Sequence, residues 1–147
     1  PLGRSTKEEV HPMYTLKPIG HVRSPLVDSE HAPKQGFEGA PEAWLVFEPE
    51  FEPGLTDLRA GEEILVFTWL DRSDRQALSV HPRDDTRVPL RGVFSTRSQD
   101  RPNPVGLHRV RIVQIESRLR MKVADLEAFD GTPIIDVKPV LDPVREL

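Results

Sequence analysis

The sequence predicts an all-β protein, a compact β-barrel of about seven short strands with long loops and little helix. Three observations carry that prediction. Fifteen prolines are scattered through 147 residues, and each removes a backbone donor and fixes φ, so long helices are excluded. Short apolar, β-branched runs lie between the prolines. One run, residues 118–123, alternates strictly: Leu119, Met121 and Val123 interleave with Arg118, Arg120 and Lys122, so one face enters a core and a cationic face stays outside.

In chain order, the expected strands are residues 15–22, 43–48, 63–70, 92–96, 107–115, 118–126 and 134–137. Residues 63–70 are almost continuously apolar, as in a strand buried on both sides. Glu116-Ser117 makes a tight turn between the fifth and sixth strands, giving a hairpin. Residues 53–59 read as the one short helical turn. Residues 27–40, with Gly36 and Gly39, and residues 79–90 are the two long polar loops. Trp44 and Trp69 fall within strand patterns and are assigned to the core rather than to base stacking. There is no internal repeat and no internal domain boundary. Residues 1–13 read as a tag remnant (Pro1-Leu2-Gly3) with a disordered N-terminus, and residues 14–147 as one domain.

Composition narrows the function classes. Hydrophobic residues are 37% and charged residues 30%, which suits a globular chain rather than a disordered one. No apolar run approaches the ~20 residues needed to span a bilayer, and residues 1–13 lack the apolar stretch of a signal peptide. There are no cysteines, so disulfides, thiolate zinc sites and cysteine nucleophiles are excluded, and a reducing cytoplasm is the expected compartment. The five histidines show no metal-ligand spacing; His81 and His108 are read as turn or surface residues, and no metal is expected. Ser95 and Ser98 lack a nucleophile elbow, and no phosphate-loop or dinucleotide glycine fingerprint is present.

The net charge of −4 conceals segregation. Residues 28–63 hold ten acidic and two basic side chains, whereas residues 91–122 hold eight basic and two acidic. Such a chain can present a basic face to a polyanion; equally, the charges can mix again in three dimensions as a solvated surface. Both readings stand at this level.

Two segments could carry chemistry. Residues 92–107, GVFSTRSQDRPNPVGL, run from a strand into a loop in which Pro102 and Pro104 hold Arg101 and Asn103 extended. That loop is either a rigid mount for a guanidinium and an amide facing a polar ligand or a connector whose arginines pair with acidic residues. Residues 130–139, DGTPIIDVKP, open on an Asp-Gly turn and place Asp136 and Lys138 on one strand face; alone they identify nothing beyond a turn and an exposed ion pair.

Together, Gly92-Val93-Phe94-Ser95-Thr96-Arg97-Ser98, Arg101-Pro102-Asn103-Pro104-Val105-Gly106-Leu107, Asp130-Gly131-Thr132-Pro133 and Asp136-Val137-Lys138-Pro139 resemble the TrmO/TsaA-type tRNA methyltransferases. Pro18-Ile19-Gly20-His21-Val22 is similar to that family's opening strand, so the resemblance spans residues 14–141. It implies a distinct barrel class of methyltransferase, S-adenosylmethionine as methyl donor, a homodimer with the cofactor near the subunit interface, and tRNA as partner. The family reaction methylates the exocyclic nitrogen of threonylcarbamoyl-adenosine beside the anticodon. Longer members add a C-terminal domain, so this chain resembles the minimal form.

Carried over by position, the implied cofactor contacts are Arg97 and Leu107; Glu127, Ala128, Phe129 and Asp130; Pro33, Lys34 and Gln35 in the first long loop; and Glu63 and Ile64. At Glu63 the family usually has a histidine, and at His108 more often a small residue. Arg101, Asn103, Arg118 and Arg120 are the substrate-binding candidates, with Arg109, Arg111 and Lys122 adding to a cationic face for tRNA. No catalytic residue is assigned: transfer from a sulfonium depends more on alignment than on a strong base. Two other readings remain, a cofactor-binding barrel without catalysis and a methyltransferase for a different substrate.

Overall fold

The computed structural model describes residues 11–27 and 39–142. Pro33, Lys34 and Gln35 lie outside them, as does most of the first polar loop. Eight strands form: β1 Gly20–Arg23, β2 Ala43–Phe47, β3 Glu63–Trp69, β4 Ser79–Val80, β5 Arg91–Gly92, β6 Val105–Ser117, β7 Arg120–Ala124 and β8 Pro133–Pro139. Six of them close a barrel in the order β1-β2-β7-β6-β3-β8, and every neighbouring pair is antiparallel. β4 and β5 make a separate two-stranded ribbon. Among the described residues, helix is confined to 3₁₀ segments at Pro49–Leu55, Pro82–Asp84 and Val93–Ser95, and none of these helices is long and apolar enough to cross a membrane.

Period-two alternation builds the interior. Val22, Leu45, Ile64, Val66, Val110, Ile112, Met121, Val123 and Ile134 point inward, joined by Leu55 from the first 3₁₀ segment and by Leu126 and Ala128 from the segment between β7 and β8. β6 alternates over its first eight residues, with Gly106, His108, Val110 and Ile112 inside. Register shifts against β7 beyond Ile112 then bend its outer part. At Gly20 a Cβ would lie 2.4 Å from the Val46 carbonyl oxygen, so β1 and β2 need a glycine to approach this closely.

Several expectations are corrected. β3 is not buried on both sides: Ile64, Val66 and Thr68 are inside, whereas Leu65, Phe67 and Trp69 are half-buried on the outside. A closed barrel has one interior, so the second apolar row is left outside. Trp44 and Trp69 share the outward parity and are therefore not core residues. Arg120 and Lys122 flank the Trp44 ring at 4.4 and 5.3 Å, and Arg75 covers Trp69 at 5.1 Å. The hairpin turn falls at Arg118-Leu119, because β6 continues to Ser117. The predicted strand over 92–96 becomes the end of β5 followed by a 3₁₀ turn, in which Thr96 N–H donates to the Val93 carbonyl at 3.1 Å.

The seam between β1 and β8 is short, pairing Gly20 with Ile134 and His21 with Pro133. Residues just beyond it extend the join. Val22 N–H donates to Thr132 O at 2.9 Å and Gly131 N–H to Val22 O at 2.7 Å. The Asp-Gly turn predicted from sequence sits here, with Gly131 at φ +85°.

Candidate functional site

The 97–107 and 127–130 stretches meet at one end of the barrel. The β3–β6 ladder sets which end: Trp69 pairs with Val105 and Thr68 with Gly106, whereas Glu63 pairs with Arg111. Arg97, exposed, donates from Nη2 to the Leu107 carbonyl at 3.3 Å. The next residue, His108, contacts Glu127 from Nδ1 at 2.6 Å. Arg97, Leu107, His108 and Glu127 are thus linked across thirty residues of sequence.

The 97–104 loop is held by its own side chains. Arg101 Nη2 donates to the carbonyls of Val93 and, at 2.7 Å, of Thr96, while its Nε is buried without a partner among the described residues. Arg101 therefore clamps the 3₁₀ turn. Asn103 is exposed and accepts from Arg75 Nη2 at 3.3 Å; Arg75 Nε also donates to the Pro102 carbonyl at 2.7 Å. The sequence offered a rigid mount or a connector whose arginines pair with acidic residues; Arg97 and Arg101 instead donate to backbone carbonyls, and the amide of Asn103 is left exposed.

The 127–130 stretch is anchored at alternate residues. Ala128 is buried and Phe129 half-buried. Asp130 accepts from the Ser24 amide at 3.0 Å and its own N–H donates to Leu26 O at 2.8 Å. Arg72, which sequence reasoning did not single out, lies over the Phe129 ring at 4.9 Å and donates to the Val27 carbonyl at 2.8 Å. It thus ties this stretch to the start of the first polar loop. Its signal in the sequence is only one more arginine in a polar turn after β3.

Glu63 and Ile64 are not brought to this cluster. They occupy the opposite end of β3, where Ile64 is core and Glu63 is ion-paired to Arg109 at 2.8 Å. The hydrogen bond and charge of Arg109, helped by Arg111, hold the Glu63 carboxyl below its usual value, and Glu63 in turn raises Arg109.

His108 departs most from expectation: it is 4% exposed, not a surface residue. Its Nε2 lies 2.7 Å from Thr68 Oγ1 and its Nδ1 2.6 Å from Glu127 Oε1. Inward parity on β6 puts it there. Gly106 leaves the room, since a Cβ at that position would lie 2.3 Å from Thr68 Oγ1 and 2.7 Å from His108 Nε2.

The cationic face is interleaved with acids. Arg120 pairs with Glu116 at 3.2 Å and Lys122 with Glu42 at 3.7 Å, so three of its five cations, Arg109 included, are already compensated. Arg118, at the hairpin tip, lines a shallow groove with Pro49, Glu50, Glu52, Pro53 and Thr56. Asp136 and Lys138 form the exposed pair expected of them, 3.7 Å apart. Among the described residues, no three His, Asp or Glu side chains are grouped to hold a metal ion.

Comparison with known proteins follows the same outline. A family model described as the tRNA-methyltransferase O N-terminal domain matches residues 21–144. An "S-adenosyl-L-methionine-binding protein" of Archaeoglobus fulgidus is 43% identical over 136 residues, covering 90% of this chain and 95% of that protein. A "Probable S-adenosyl-L-methionine-binding protein" of the same organism is 42% identical over 124 residues, 84% of this chain but 33% of its own length. A crystal structure of TrmO superposes with a TM-score of 0.72 at 26% identity, over 92% of this chain and 62% of that one. A second, from Pseudomonas aeruginosa, gives 0.71 at 24% identity over 92% and 61%, a likeness of fold. The chain therefore spans about three fifths of those TrmO chains and a third of one archaeal relative.

Proposed function

The chain belongs to the tRNA-methyltransferase O N-terminal domain family, and from that premise we propose that it is an S-adenosylmethionine-dependent tRNA methyltransferase. The proposed acceptor is the exocyclic nitrogen of threonylcarbamoyl-adenosine next to the anticodon. The observation that carries the reading is the link between the two stretches carried over as cofactor contacts, through Arg97, Leu107, His108 and Glu127.

The residues present fit the cofactor's chemistry. S-adenosylmethionine offers a carboxylate, an ammonium, a sulfonium and ribose hydroxyls. Arg97 is exposed and makes one hydrogen bond among the described residues, leaving guanidinium donors for the carboxylate. Glu127 has one oxygen on His108 and a side chain 19% exposed, so its other oxygen can accept from hydroxyls or ammonium. Phe129 and Leu107 supply apolar surface, and the buried Arg101 Nε is an unused donor in the same loop. When bound, the cofactor supplies an electrophilic methyl group. The protein's part is to fix that group in line with the acceptor nitrogen and exclude water, which lowers the barrier without a strong base. In this reading Asn103 faces the acceptor, Arg101 holds the loop that presents it, and Arg118 and Arg120 contact tRNA phosphates.

A homodimer is part of the proposal. Phe67 pairs with Leu107 and Trp69 with Val105 across the outer ladder; Leu107 and Val105 are 38% and 39% exposed. A second copy on this strip would cover apolar surface beside the cofactor contacts.

The test is incubation with methyl-labelled S-adenosylmethionine and tRNA, with and without the threonylcarbamoyl group. Label in modified tRNA alone is expected. Cofactor binding without transfer would favour a binding barrel, and transfer to another acceptor would replace the substrate.

A further inference from the structure

The chain Thr68–His108–Glu127 joins β3, β6 and the segment after β7, and the reading above gives its buried members, Thr68 and His108, no task of their own. An ionised carboxylate only accepts hydrogen bonds, so His108 Nδ1 carries the hydrogen toward Glu127. In the neutral ring Nε2 is then bare and accepts from the Thr68 hydroxyl, which is fully buried. This tautomer satisfies every member. Contacts of 2.6 and 2.7 Å in a water-poor interior fix the ring tightly.

We infer that His108 is a positioning residue for the cofactor: it orients the Glu127 carboxylate, and with it the 127–130 stretch, from inside the barrel. The inference rests on the cofactor reading above. Leu126 and Ala128 are anchored by burial in the core, but burial does not fix the rotation of the Glu127 side chain between them. The hydrogen bond from His108 Nδ1 does. Thr68 only supplies the partner of Nε2 on the far side of the ring, and Gly106 keeps the space in which the ring and hydroxyl meet.

Calorimetric titration with S-adenosylmethionine and S-adenosylhomocysteine, paired with denaturation of each variant, tests the role. His108→Leu removes the donor and should weaken cofactor binding about tenfold or more. His108→Asn keeps a donor at the Nδ1 place and should remain within about threefold of wild type. Thr68→Val should lower stability yet leave cofactor affinity nearly unchanged, because Glu127 keeps its partner. If affinity follows stability across all three variants, His108 is merely structural and the inference fails. It fails too if His108→Leu binds as wild type does. Nitrogen NMR of the ring in cofactor-free protein is an independent arm that does not depend on the variants folding: a slowly exchanging Nδ1–H tautomer is expected, and an Nε2–H tautomer overturns the inference. Wild-type protein that binds neither compound would overturn the cofactor reading and the role built on it, even with the Nδ1–H signature in place.

Discussion

Gly106→Ala should be among the most damaging single-methyl additions in this protein. The new Cβ would lie 2.3 Å from Thr68 Oγ1, 2.7 Å from His108 Nε2 and 3.2 Å from Leu70 Cδ1. The first two atoms are buried and bonded to each other at 2.7 Å, so neither can swing into solvent. Overpacking of this kind costs about 1–3 kcal/mol. Splitting the buried hydrogen bond adds about 1–3 kcal/mol for the groups left unpaired. The expected loss is thus about 2–6 kcal/mol, a large part of the ~5–15 kcal/mol by which small domains are stable. Urea denaturation should show a lower midpoint with an unchanged slope. Gly54→Ala, where a Cβ meets nothing within 4 Å, is the control and should change stability little. Thr68→Ala in the Gly106→Ala background should recover part of the loss, a coupling between touching residues. A Gly106→Ala protein within about 0.5 kcal/mol of wild type would refute the packing argument.

Arg97→Ala should weaken S-adenosylmethionine binding by about 1.5–3 kcal/mol while leaving the melting temperature almost unchanged, since its one protein bond is long and exposed; the reverse pattern in calorimetry and melting would make Arg97 structural. Replacing Arg118 and Arg120 by Ser should reduce the slope of log tRNA affinity against log salt by about 0.7–0.9 per lost phosphate contact. Cofactor binding should be unaffected, and sedimentation of the double variant checks that oligomeric state is not what changed. Arg109 depresses the folded Glu63 pKa, so the pair's stabilisation is present above the unfolded glutamate value and lost as pH falls through the lower folded value. Carboxyl NMR should show Glu63 titrating at higher pH in Arg109→Gln, and an unmoved titration would remove the pair from the account.

The strands were legible where alternation was strict. Residues 118–123 give Met121 and Val123 inside with Arg120 and Lys122 outside, because the pleat alone sets that parity. Where both parities are apolar, as in β3, the sequence does not reveal which row faces in; closure of the barrel decides. The long motifs marked the 97–107 and 127–130 stretches, but their junction runs through His108. A lone histidine between Leu107 and Arg109 carries no local sign of burial until the parity of β6 is fixed by Val110 and Ile112. Glu63 lies at the other end of β3 from Trp69 because position along a strand, not likeness to a motif, determines which end of the barrel a residue reaches.

The shortness of the β1–β8 seam bears on how the barrel breathes. Only two residue pairs close it, one of them using Pro133, which has no amide hydrogen to give. Ile19 N–H adds a bond to Ile134 O on one side of it, and the bonds on the other side come from Asp130, Gly131 and Thr132, at the end of the stretch assigned to the cofactor. Opening at this seam should require less free energy than separation of β3 from β6, paired over seven residues, so amides of Ser24 and Gly131 should exchange with solvent before those of β3. A ligand that immobilises residues 127–130 would then slow exchange along the seam without touching β1, and the closure of the barrel would itself report occupancy of its end.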